Sequence, residues 1–124
     1  MIVSLLLVAA GGAAGSVCRV WVSRRYNCEG AGGEALIPWG TMTVNISGAF
    51  LLGMLSATHS PEPLLLLLGT GFLGGYTTFS TLSVQLSDFS RQGQTAAGAR
   101  YAALTMTLGL TAAYAGHLAG HYLF

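Results

Sequence analysis

The densest chemistry in this chain lies in GGYTTFSTLS, residues 74 to 83. Two glycines open the stretch, and five hydroxyls follow: Thr77, Thr78, Ser80, Thr81 and Ser83. Each hydroxyl can give one hydrogen bond to an anion without adding charge. Phe79 stands among them, and the positive edge of an aromatic ring can also meet an anion. A break at Gly74-Gly75 would free backbone carbonyls, which suit a hard cation such as Na⁺. The competing reading is a kinked helix whose hydroxyls bond back to its own carbonyls. Five hydroxyls beside a double glycine favour the chemical role.

Other polar residues are sparser. Asn45 falls inside GTMTVNISGAFLLG, residues 40 to 53, with Thr41 four residues earlier and so on the same helix face. A buried amide needs partners, and its position alone leaves interhelical glue and a solvated pore role about equally open. Arg19, near the end of a first helix, reads on its own as an arginine snorkelling to the interface. The alternative is a fixed charge that draws anions into a vestibule. His117 and His121 share a helix face and could hold a metal, but no third ligand is apparent, so they read as interfacial histidines. Cys18 and Cys28 match neither a zinc site nor a redox pair and read as small apolar residues.

These residues must be positioned by membrane helices. Of the 124 residues, 52% are hydrophobic and 7% charged, against about 25% charged in soluble domains. Lysine is absent, and a net charge of +1 gives no reason to expect a nucleic-acid partner. A span needs roughly 20 mostly apolar residues. Four segments qualify, about residues 2–22, 39–57, 64–87 and 99–123, forming a single transmembrane domain. The expected fold is an all-α integral membrane protein with its third helix broken near Gly74-Gly75. The opening MIVSLLLVAAGGAAGS lacks the basic segment of a secretory signal and reads as a retained first helix.

Small residues recur at helix-packing spacing, as Gly11 and Gly15 in the first span and Gly116 and Gly120 in the fourth. Four short helices enclose little volume, so a dimer is expected. Arg19, Arg24, Arg25, Arg91 and Arg100 all fall on or beside one side. The positive-inside rule then puts the first and third loops in the cytoplasm and both termini outside the cell membrane. The acids Glu29, Glu34, Glu62 and Asp88 lie in loops or at span ends. That weakens a small four-helix multidrug-type cation exporter, which needs a titratable group within a span. Nothing in the chain suggests an enzyme.

Three blocks coincide: GGAAGSVCR (11–19), GTMTVNISGAFLLG (40–53) and GFLGGYTTFSTLS (71–83). Together with the length and four spans they resemble the CrcB/Fluc fluoride channel family over essentially the whole chain. The resemblance implies passive, fluoride-selective efflux that lowers cytoplasmic fluoride. It also implies an antiparallel dimer with two pores at the subunit interface. Arg19 would attract the anion at the vestibule, Asn45 would meet it there, and Phe79 would offer its ring edge. Thr41, Ser80, Thr81 and Ser83 would supply hydroxyls, with Tyr101 and Thr105 from YAALT toward the far end. The carbonyls of Gly74 and Thr77 would hold a structural Na⁺ at the dimer interface.

One position departs from the family pattern. Leu82 stands where a second phenylalanine usually follows, so one anion contact is missing. The one-sided arginines point to a fixed orientation, hence to a heterodimer with a paralogue of opposite bias rather than a homodimer. A non-conducting partner subunit is a further alternative that Leu82 supports.

Overall fold

The computed structural model describes residues 1–26 and 37–123; Cys28, Glu29 and Glu34 lie outside the described residues. Helix α1 is Ile2–Tyr26 and α2 is Trp39–Ser56. Helix α3 joins Glu62–Leu64, a π-helical run Leu65–Leu73, and Gly74–Tyr76. Two extended residues, Thr77 and Thr78, separate it from α4, Phe79–Arg91. Helix α5 is Thr95–Leu123. Between α4 and α5 the chain reverses over a few residues. Gly93 supplies a φ of 70° there, in the left-handed region that glycine enters without strain.

The four rods, counting α3 and α4 as one, start and end within a few residues of the expected spans. The third rod runs furthest beyond its expected span, covering 62–91, while the first ends at Tyr26 and the fourth begins at Thr95. The rods Ile2–Tyr26 and Glu62–Arg91 are long and apolar enough to cross a membrane. Large apolar side chains face outward over much of the surface, among them Leu5, Val17, Trp21, Leu110 and Tyr114. In water such a surface is costly. Against hydrocarbon it is the ordinary state of a membrane helix.

Packing follows the small residues. A Cβ placed on Gly15 would strike the Phe72 carbonyl, and one on Gly116 would strike the Phe50 carbonyl. Only glycine permits these approaches, which bring α1 onto α3 and α5 onto α2. The register fixes direction as well. Gly11 lies against Leu67 and Gly15 against Phe72, so α1 and α3 run parallel. Gly116 lies against Phe50 and Gly120 against Ala57, so α2 and α5 are parallel too. Gln85 bonds to Thr41 whereas Asn45 bonds to Thr78, so α2 runs against α3 and α4. Two parallel pairs thus lie head to tail. The ends of α1 and α4 and the start of α5 share one end of the molecule, which carries Arg24, Arg25, Arg91 and Arg100.

The expected break at Gly74-Gly75 is corrected by two to three residues. Both glycines keep helical backbone, and the extended residues are Thr77 and Thr78. Gly75 serves close packing instead, because a Cβ there would collide with the Gly12 carbonyl of α1. The physical cause of the break comes from a different helix.

Candidate functional site

That cause is Asn45 on α2. Its Oδ1 accepts from the Thr78 backbone N–H at 2.8 Å, and its Nδ2 donates to the Thr78 carbonyl at 3.0 Å. One side-chain amide therefore draws the Thr78 N–H out of its ladder and adds a second bond to a carbonyl that already opens α4. Asn45 is interhelical glue of a specific kind: it holds a helix open.

The consequence reaches two carbonyls. In an unbroken helix the Thr78 N–H would donate to Gly74, and the Thr81 N–H would donate to Thr77. Here the first is turned to Asn45, and the second donates to the Thr78 hydroxyl at 3.2 Å, capping α4. The oxygens of Gly74 and Thr77 have thus lost their helical donors. Carbonyl oxygens at an unwound point are the donor set a hard monovalent cation takes, so these residues fit Na⁺.

On the far side of the break, α4 begins with its first-turn N–H groups and the positive end of its dipole. Phe79 opens that turn and is 80% exposed. Ser80, Thr81 and Ser83 are exposed beside it. The Thr78 hydroxyl donates to Thr81 Oγ1 at 3.1 Å and lies 3.2 Å from Ser80 Oγ. Some hydroxyls bond back to their own helix: Thr77 to Leu73 O at 3.0 Å and Ser83 to Phe79 O at 3.0 Å. Back-bonding therefore accounts for two of the five, and Ser80 and Thr81 stay with the cap.

Thr41, Tyr101 and Thr105 form a separate, buried group. Their link is Gln85, which the sequence reading did not single out. Gln85 Nε2 donates to Thr41 Oγ1 at 2.8 Å, and the Tyr101 hydroxyl donates to Gln85 Oε1 at 2.8 Å. Thr105 donates to the Tyr101 carbonyl at 2.8 Å. The available signal was weaker than for Asn45: an uncharged amide near the end of an apolar span. Thr41 and Asn45 sit one turn apart on α2, so this seam continues into the clamp. Arg19 is half-buried on α1, one turn beyond Gly15, and makes no hydrogen bond to the clamp. Leu82 is 7% exposed and packs with Met42, Phe89 and Tyr101 in the chain's own core.

Residues 6–117 match the sequence profile described as CrcB-like protein, Camphor Resistance (CrcB). The chain belongs to the CrcB family. The CrcB match takes in all the site residues above. A protein of Rhizobium meliloti named fluoride-specific ion channel FluC is 42% identical over 122 residues, covering 90% of this chain and 91% of its own. One of Ligilactobacillus salivarius, fluoride-specific ion channel FluC 1, is 38% identical over 116 residues, covering 94% and 98%. Another FluC, of Gloeobacter violaceus, is 39% identical and covers 99% of this chain and 100% of its own.

Proposed function

We propose that this chain is a subunit of a fluoride-selective channel that lets fluoride leave the cell passively and so lowers its cytoplasmic concentration. The observation that carries the reading is the break at Thr77 and Thr78, held by Asn45, with an exposed Phe79 at the start of the resumed helix. A small, strongly hydrated anion must shed water to enter a narrow path, and clustered donors can replace that water. The ring edge of Phe79, the Ser80 and Thr81 hydroxyls, and the start of α4 offer such donors with no fixed charge. Thr41, Tyr101 and Thr105, joined through Gln85, extend the polar seam away from the break. Ser83 lies on the exposed side, and Arg19 adds positive potential toward the arginine-bearing end.

A ring left 80% exposed beside polar groups makes half a pathway. A second subunit in antiparallel orientation supplies the other half, giving two paths at the interface. The Gly74 and Thr77 carbonyls, with their counterparts from the second subunit, would hold a structural Na⁺ at the dimer interface. The arginine-bearing end faces the cytoplasm of the cell membrane, with both termini outside. That bias favours a heterodimer with a paralogue of opposite charge bias over a homodimer.

The test is fluoride efflux from liposomes, followed with a fluoride-selective electrode, for the chain alone and with such a paralogue. Fluoride efflux without chloride efflux supports the reading. No fluoride efflux in either preparation sinks it. Robust efflux from the chain alone keeps the channel and removes the obligate partner.

A further inference from the structure

Outside the polar seam, one titratable cluster has an arrangement that the proposed channel does not use. His117 and His121 lie one turn apart at the end of α5, both exposed. Ser56, at the end of α2, places its Oγ 3.1 Å from His117 Nδ1. The same Oγ stands 2.6 Å from the Gly53 carbonyl, to which it donates. A hydroxyl has one hydrogen to give. With that hydrogen on Gly53, Ser56 can only accept from His117, so Nδ1 carries the proton. Nε2 is then left with its lone pair.

We propose that His117 and His121 form a two-histidine site for a divalent first-row transition-metal ion, with His117 Nε2 as the pre-set ligand. A ligating histidine ordinarily donates its other ring N–H to a fixed acceptor, which sets the tautomer and the ring direction. Ser56 is that acceptor. Residues four apart on a helix have Cβ atoms roughly 5–6 Å apart. Two imidazoles reaching from such positions can meet one ion at bonds of about 2.0–2.1 Å. Imidazole donors select Zn²⁺, Ni²⁺ or Cu²⁺ over Mg²⁺ and Ca²⁺, which take oxygen ligands. Among the described residues no group of three or more His, Cys, Asp and Glu could hold a metal. Water therefore completes the shell, and the ion exchanges freely.

The experiment uses the full chain in detergent, free of any histidine tag, titrated with Zn²⁺ by calorimetry and by thermal unfolding. One Zn²⁺ per chain is expected, with a rise in Tm because the ion binds the folded state. H117A and H121A should each weaken binding at least tenfold and abolish the rise in Tm. S56A should weaken it about tenfold, the lower end for losing an outer partner of a ligand, and S56T should restore it. All three side chains are exposed, so the variants retain the fold. Wild-type affinity in either histidine variant overturns the site. Wild-type affinity in S56A, with binding lost in the histidine variants, overturns the pre-set ligand.

Discussion

At the scale of single residues, Asn45 and Gln85 carry more than any hydroxyl. Each is an uncharged amide that satisfies groups from another helix. Asn45→Leu leaves the Thr78 N–H without its partner, at about 1–3 kcal/mol for a buried group, and removes the second bond to the Thr78 carbonyl. Thermal unfolding in detergent should show that loss. Gln85→Leu removes the amide that joins the buried Thr41 and Tyr101 hydroxyls and should cost about 1–3 kcal/mol on the same scale. Phe79→Ile separates function from stability. With its ring 80% exposed in the single chain, the substitution should leave unfolding nearly unchanged while fluoride efflux falls sharply. Efflux at the wild-type rate would remove Phe79 from the pathway.

At the scale of elements, the sequence marked the right stretch and misplaced its break. The double glycine reads as the weak point because glycine is a poor helix former. In the folded chain Gly75 is used against Gly12 of α1, and the break falls where Asn45, from a helix 33 residues away in the chain, captures Thr78. No local pattern encodes a partner at that distance. The glycine pairs in α1 and α5 were legible because helix packing repeats at four residues, and those contacts appear where expected. Gln85 carried a weaker signal, because it lies near the end of its span among Ser83, Ser87 and Asp88, where a polar side chain is ordinary. Two substitutions test the packing claim. Gly15→Ala pushes a methyl into the Phe72 carbonyl and should cost about 1–3 kcal/mol as overpacking. Gly109→Ala, with nothing within 4 Å, should be neutral or stabilising by up to about 1 kcal/mol. Unfolding temperatures that fail to separate the two would contradict the close α1–α3 approach.

At the scale of the whole molecule, two parallel helix pairs laid head to tail gather Arg24, Arg25, Arg91 and Arg100 at one end. Composition alone gave the membrane class, since 7% charged residues cannot cover a soluble surface. The arrangement of helices supplied what composition could not: which surface remains open. Alkaline phosphatase fused to the C-terminus should be active in cells, and a fluorescent protein fused there should stay dark, if both termini face outside. The reverse pattern would invert the orientation. Leu82 shows where sequence comparison and structure diverge in emphasis. By pattern it marks a missing ring, whereas in the single chain it fills the core beside Met42, Phe89 and Tyr101.

The clamp at Thr78 also bears on timing. A bend held by its own helix can straighten whenever the local ladder re-forms. This one is riveted from outside, because closing it requires α2 to give up both bonds made by Asn45. The joint is therefore an elbow pinned by a neighbouring helix. In a channel built on it, the width beside Phe79 would be set when the chain folds, not when the ion arrives.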